Sequence, residues 1–173
     1  MIRLTTPIAQ NEIDRLKVGD RILLSGEILT GRDAVLPRLA KLVDEGRLHE
    51  IDAELCGNVI FHTAVSPAGV GPTSSNKLEI EESFGPLSRA GIKIHLGKGA
   101  ISPRTVEALW RYGSVFAVIP PVTALLKNNT FEQCVVAFEE EGMEALHCIR
   151  VVDYPAIIAA AHRVSIYDVQ HDP

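Results

Sequence analysis

The sequence predicts an α/β fold, and three observations carry that reading. Runs of branched and aromatic residues of strand length recur along the chain, at Arg21–Leu29, Leu55–Val65, Gly91–Leu96, Val115–Ile119 and Ala145–Val152. Between them lie segments whose apolar residues fall at helical spacing, the clearest being RDAVLPRLAKLVDE at 32–45. Gly and Pro turn signals punctuate the junctions. Elements that alternate in this way belong to the α/β class.

Taken in order, Ile2–Ile8 reads as a short strand, and Ile13 and Leu16 stand at helical spacing in the polar stretch after it. Val18-Gly19-Asp20 marks a turn. Arg21–Leu29 is a strand, or two short strands broken at Ser25-Gly26, because glycine within a strand pattern signals a bulge or a close backbone approach. In the helix at 32–45, Val35, Leu36, Leu39, Leu42 and Val43 share one face. Pro37 sits early, where a missing N–H costs least, and Gly46 is a natural stop. Arg32 then lies at the helix entrance, with Asp33 favourable to that end as a cap or through the dipole.

Leu55–Val65 follows as a strand and Ser66–Pro72 as a loop. Asn76–Phe84 reads as a short helix, with Asn76 and Glu79 at the spacing of a capping box. Gly91–Leu96 alternates like a strand and ends at Gly97-Lys98-Gly99. Ser102-Pro103 opens another helix, with Val106, Leu109 and Trp110 directed inward. Val115–Ile119 is a buried type of strand stopped by Pro120-Pro121, and Val122–Leu126 has the length of a helical turn. Phe131–Glu141 fits helix or strand equally, Ala145–Val152 is a strand, and Ile157–Ala161 is a short apolar piece before a polar tail.

The totals bound the function. A chain of 173 residues with 46% hydrophobic and 23% charged residues is long enough for a real core and reads as one domain, 1–173. A net charge of −5 without a basic patch argues against nucleic acid as a partner. No apolar run approaches the roughly 18–20 residues that span a bilayer, and MIRLTTPIAQ lacks the apolar centre of a signal peptide, so a cytoplasmic location is expected. Three cysteines would match an iron–sulfur site with one open iron. Cys56, Cys134 and Cys148, however, lie far apart inside apolar segments, and none is in a C-x-x-C pair. They are expected in the core, with no cluster held by this chain. His62, His95 and His147 sit within strand patterns without metal-ligand spacing and are expected as core or edge residues.

Three loops have the chemistry of an anion site: Thr30-Gly31-Arg32-Asp33, the VGPTSSNKLE stretch at 70–79, and Leu96-Gly97-Lys98-Gly99. Hydroxyls and cations at a helix mouth suit a carboxylate, because free N–H groups and the dipole favour negative charge there. Each has a plainer reading. Lys98 in GKG suits a solvated turn, Arg32 suits a surface pair with Asp33 or Glu27, and Thr73, Ser74 and Ser75 suit a helix cap. A threonine hydroxyl serves as a base only when a neighbouring group activates it, and Lys77 and Lys98 are the candidates.

Together, SGEILTGRDA, GPTSSNKLE, the later GKG and FEEEGMEAL resemble the C-terminal domain, or beta subunit, of class I iron–sulfur fumarases and L-tartrate dehydratases, in order and spacing from about Leu4 to Val164. The resemblance implies a single swivelling β/β/α domain of the fumarase C-terminal type, with a core of about 4–164 and a short polar tail. It also implies a partner alpha subunit that carries a [4Fe–4S] cluster and supplies the acid, in a hetero-oligomer with which a homodimer of this chain is compatible. The reaction implied is reversible hydration of a dicarboxylate double bond, fumarate to (S)-malate. The alternatives are an L-tartrate dehydratase or mesaconate hydratase subunit, or a non-catalytic anion-binding module. On this resemblance Thr73 is the catalytic base, Arg32 and Lys98 hold substrate carboxylates, and Lys77 stands where the family has a substrate-binding arginine. Three departures bear on the substrate: Lys77 replaces an arginine fork by a point charge, Ser74 replaces a second threonine, and Val118–Leu126 replaces a Gly-Gly/Ala-rich stretch.

Overall fold

The computed structural model describes residues 1–73, 77–120 and 123–168, without the side chains of 72–73, 77–79 and 123–124. Strand β1 (Ile2–Thr5) pairs in parallel with β2 (Arg21–Thr30), and the one-turn helix α1 (Gln10–Ile13) between them buries Ile13. β2 is one strand with a bulge rather than two strands. Its register slips between Leu24 and Gly26, and Gly26 takes φ +104°, with Thr6 packed where a side chain would stand.

Helix α2 (Leu36–Asp44) starts later than its apolar pattern does. The Arg32 carbonyl accepts hydrogen bonds from the N–H groups of Val35 and Leu36, so residues 32–35 form the turn that leads into it. Pro37 lies in its first turn, where no N–H is needed, and Gly46 follows its end at φ +67°.

The run at 55–65 divides at His62 into β3 (Val59–Phe61) and β4 (Thr63–Ser66). The stretch expected as a loop is mostly β5 (Gly69–Thr73), which folds back on β4 as a hairpin with Thr63 opposite Thr73. Apolar periodicity cannot show that a strand changes partner, and here β3 lies in the main sheet while β4 leaves it. Pro72 is tolerated because this hairpin is a two-stranded ribbon with free outer edges.

Helix α3 (Lys77–Arg89) continues beyond the predicted end, through Gly85-Pro86, because Phe84 and Leu87 are both buried beneath it. Packing there outweighs the hydrogen bond that proline removes. The predicted Asn76 cap lies outside the described residues.

Strand β6 (Ile94–Gly97) and helix α4 (Pro103–Arg111) follow, the helix capped by Ser102 Oγ, which accepts from the Thr105 N–H at 3.3 Å. Trp110, expected inward, is 43% exposed, and the Arg163 guanidinium lies 3.4 Å from its ring centroid. After β7 (Val115–Val118) and helix α5 (Thr123–Asn128), the ambiguous segment is the strand β8 (Thr130–Ala137). The two apolar pieces near the end are one strand of 16 residues, β9 (Leu146–Ala161), followed by β10 (Val164–Ser165).

β2, β3, β6 and β7 run parallel, side by side in that order. β9 is antiparallel to both β2 and β7, with Ile157 opposite Arg21 on one side and Val118 on the other, so the pairings close into a circuit. β3, β6 and β7 are buried on both faces, and β2 is so at its carboxyl end. Val59, Phe61, Ile94, Leu96, Val115 and Ala117 enter one core with β1, β2 and β9, whereas Ile60 and Phe116 enter a second beneath α2, α3 and α4. This alternation is the mark of strands covered on both sides.

The cysteines are not in the core. Cys56 and Cys134 are exposed and Cys148 is half-buried. Cys56 lies in a tight turn against Gly91 and Cys134 on the exposed strand β8, whereas Cys148 packs half-buried against the edge of the second core, so the local apolar context misled for the first two.

The bulge yields a stability prediction. Gly26→Ala meets both a positive φ and the Thr6 side chain, so it should lower the unfolding free energy by about 3 kcal/mol or more in a urea titration. An unchanged midpoint would show that the β1–β2 contact is slack.

Candidate functional site

The parallel strands end level with one another. Thr30, Phe61, Leu96 and Ala117 form one row across β2, β3, β6 and β7. Two residues beyond that row stand Arg32, Thr63, Lys98 and Ile119. The ladder continues past the row through Gly31 N–H to Phe61 O at 3.1 Å, His62 N–H to Leu96 O at 2.9 Å, and Ile119 N–H to Gly97 O at 3.3 Å. Because neighbouring strands lie roughly 5 Å apart, the backbones at Arg32 and Lys98 are about 10 Å apart, on either side of the β3 end. Both side chains are long enough to reach a ligand between them.

The hairpin adds a third component. Thr63 directly follows His62 at the end of β3, and its partner across the hairpin is Thr73. The backbone of Thr73 therefore returns to the same carboxyl edge, and Lys77 begins α3 a few residues later. The side chains of Thr73 and Lys77 lie outside the described residues. Arg32, Lys98 and the Thr73 backbone thus share one edge of the sheet. The start of α2 follows Arg32 and that of α4 follows the Lys98 loop, so their positive dipole ends lie on this side too. Crevices at the carboxyl ends of parallel strands are the usual place for a ligand in α/β sheets.

Arg32 is half-buried, and its Nε is 3.4 Å from Glu144 Oε1, too poorly aligned for a hydrogen bond. Its ion-pair partner is thus a residue of the GMEA segment rather than Asp33 or Glu27, while Lys98 is exposed. The side-chain polar atoms that are buried without a hydrogen bond, among the described residues, are Thr30 Oγ1, Arg32 Nε, His62 Nε2 and His95 Nδ1. Thr30 ends β2, Arg32 and His62 lie just past the ends of β2 and β3, and His95 lies within β6 beside His62. Buried polar groups normally find partners, so their concentration here marks an unfinished polar region.

His62 and His95 form the floor on the helical side. The Phe84 ring stacks on His95 at 4.3 Å between centroids and meets His62 edge-on at 4.8 Å. His95 Nε2 is hydrogen-bonded with Ser88 Oγ at 2.9 Å. Burial lowers the His62 pKa to about 3, and burial together with His62 holds His95 well below the ordinary value. Both are neutral at physiological pH and add no charge to the site. Gly97 completes the floor, since a Cβ there would come within 2.9 Å of the Phe116 ring.

The floor and Glu144 were missed as site components in the sequence. The signals available were the HTA that breaks the strand pattern at 62–64 and the place of Glu144 in the quoted GMEA segment. Among the described residues no group of three or more His, Cys, Asp or Glu side chains is arranged to hold a metal ion.

The neutral histidines have a pH consequence. Their folded pKa values lie below the unfolded value of about 6.5, so the unfolded chain binds more protons and stability falls as pH drops from about 6.5 towards 3. Each contributes a slope approaching about 1.4 kcal/mol per pH unit. Denaturant titrations at pH 7 and pH 5 should show a smaller loss for His62→Gln than for the parent chain. Equal losses would mean that His62 is not neutral and buried.

A family model described as fumarase C-terminus matches residues 1–168. The L(+)-tartrate dehydratase subunit beta of Escherichia coli K12 is 31% identical over 169 residues, covering 91% of this chain and 81% of that protein. The anaerobic class I fumarate hydratase of the same organism is 30% identical over 158 residues, 85% of this chain and 28% of that protein. A putative class I fumarate hydratase of Geobacillus stearothermophilus is 28% identical over 185 residues, 97% of this chain and 34% of that protein. The chain belongs to the fumarase C-terminus family.

Proposed function

We propose that this chain is the beta subunit of a hydro-lyase that reversibly hydrates the double bond of a small dicarboxylate, fumarate to (S)-malate, with an alpha subunit as its partner. The observation that carries the reading is the level row of strand ends, with Arg32 and Lys98 flanking the end of β3, from which the β4–β5 hairpin departs. Two separated cations suit a substrate with two carboxylates, and a half-buried guanidinium can grip one of them through two parallel hydrogen bonds. A second carboxylate is then left to the Lys98 ammonium.

In this reading 1–173 works as one domain. Thr73 moves the proton at the substrate carbon, taking it in dehydration and returning it in hydration. Its hydroxyl needs cationic neighbours for that work, and Lys77 and Lys98 are assigned to the task. Arg32 and Lys98 also hold the negative charge that grows on the adjacent carboxylate as the C–H bond breaks, which is where electrostatic stabilisation accelerates such a step. Glu144 is displaced from Arg32 when substrate arrives, one carboxylate exchanging for another. The described residues of this chain do not fit a [4Fe–4S] cluster, and the reading assigns that cluster to the alpha subunit.

A second reading, dehydration of L-tartrate, is favoured by the scale of the match. The tartrate dehydratase beta subunit is a relative of similar length, whereas the matched segment is 34% and 28% of the two fumarate hydratases. Lys77, a point charge where an arginine fork is usual in the family, also argues for a changed substrate.

The test is purification of the chain with its alpha subunit, followed by parallel assays with fumarate, L-tartrate and mesaconate. The complex is expected to turn over one of them and the isolated chain none. Arg32→Lys keeps the charge but loses the fork, and should raise KM about 10- to 100-fold. Thr73→Ala should lower kcat by about 100- to 10,000-fold with little change in substrate affinity. A Thr73→Ala complex of normal kcat would instead favour a module that binds anions without catalysis.

A further inference from the structure

Cys134 and Cys148 stand directly opposite each other on β8 and β9. Two pairs further along, Glu132 faces Arg150, and the two are joined by an ion pair at 3.4 Å. Side chains two residues apart on a strand share a face, so both thiols point to the same side of the sheet as that ion pair. They border a surface depression of about 360 Å³ that is also lined by Glu27, Glu132, Gln133 and Arg150. Directly opposed residues in an antiparallel pair have Cα atoms roughly 4.5 or 5.5 Å apart, and both separations fall inside the range of about 4.4–6.8 Å that a disulfide spans. The thiols are also close enough to hydrogen-bond with each other.

We infer that Cys134 and Cys148 form a dithiol modification site, which a low-molecular-weight disulfide such as oxidised glutathione converts to an internal cross-strand disulfide. Cys134 is exposed and Cys148 is half-buried, which sets the order of events. The Cys134 thiolate attacks one sulfur of the small disulfide, breaking its S–S bond and releasing one thiolate that takes up a proton. The Cys148 thiol then gives its proton to solvent and attacks Cys134 Sγ, releasing the second small thiol. Two protein thiols are oxidised by two electrons to one disulfide, and one small disulfide is reduced to two thiols. Burial, then the charge of Glu27, pushes the Cys148 thiol up to about 12, so Cys148 is unsuited to the first attack, and its place opposite Cys134 leaves it the second.

The bridge would close the segment that holds the 3-10 turn Glu139–Glu144. Glu140 and Glu141 of that turn pair with Arg38, and Glu144 pairs with Arg32. Oxidation would therefore tether the segment that supplies the ion-pair partner of Arg32. None of this depends on the hydration chemistry, because the dithiol stands on its own face and its oxidation is read without an activity assay.

The full-length chain is incubated with oxidised glutathione, and its intact mass and tryptic peptides are recorded. Loss of two hydrogens with a cross-linked Cys134–Cys148 peptide is expected. In Cys148→Ser the glutathione adduct on Cys134 should accumulate at least about tenfold over the parent chain, because nothing resolves it. A persistent adduct on Cys134 of the parent chain, a bridge through Cys56, or no reaction at either thiol would overturn the inference. The parent-chain peptide map decides the matter even if the variant fails to fold.

Discussion

One strand holds the whole arrangement together. β9 pairs with β2 along most of its length, then with β7 and β8 on its other side. Its backbone bonds extend into the turn before β2, where Gly19 N–H donates to Ile158 O at 2.8 Å and Ile158 N–H donates to Asp20 O at 2.9 Å. Because β9 fixes β2 and β7 at opposite ends of the parallel set, β3 and β6 between them have little freedom of register. A one-residue slip would turn their apolar side chains from one core to the other, so both cores oppose it. The alignment of strand ends is a consequence of that constraint, and the alignment is what brings the charged loops to a common edge.

The edge owes its polarity to the segment attached to the end of each strand. β2 leads into Arg32 and a helix start, β3 into a hairpin that returns at Thr73, and β6 into Lys98 and another helix start. Beneath lies a floor of neutral rings, His62, Phe84 and His95, that brings no charge of its own. Cationic side chains beside a low-dielectric floor suit a small anion, since each charge acts more strongly there than in bulk water. Among the described residues the carboxylate paired with Arg32 is that of Glu144, at 3.4 Å.

Much of this was legible in the chain alone. Strand and helix positions followed from apolar spacing, the glycine at position 26 announced its bulge, and the ordered loops with Arg32, Thr73 and Lys98 pointed to the family. What sequence spacing could not carry was long-range pairing. It divided β9 into two pieces at Asp153 and Pro155, yet beyond the irregular pairing at 152–153 the strand resumes against β2, with Tyr154 opposite Leu24 and Pro155 opposite Leu23. It missed the β4–β5 hairpin for the same reason, and it placed Trp110 inward because it could not see Arg163 covering that ring from a distant segment. The cysteines failed differently. Cys134 has apolar neighbours in sequence, but β8 is largely exposed, and Cys148 opposite it reaches only the edge of the second core.

The proposed function requires a dicarboxylate to bridge Arg32 and Lys98 at the carboxyl edge of the parallel strands. The most direct measurement is a crystal structure of the complex of this chain with its alpha subunit, grown with a saturating dicarboxylate. One substrate carboxylate should lie within hydrogen-bonding distance of the Arg32 guanidinium, in the place of Glu144, and the other should lie beside the Lys98 ammonium. A dicarboxylate bound elsewhere, with the Arg32–Glu144 pair intact, would contradict the account.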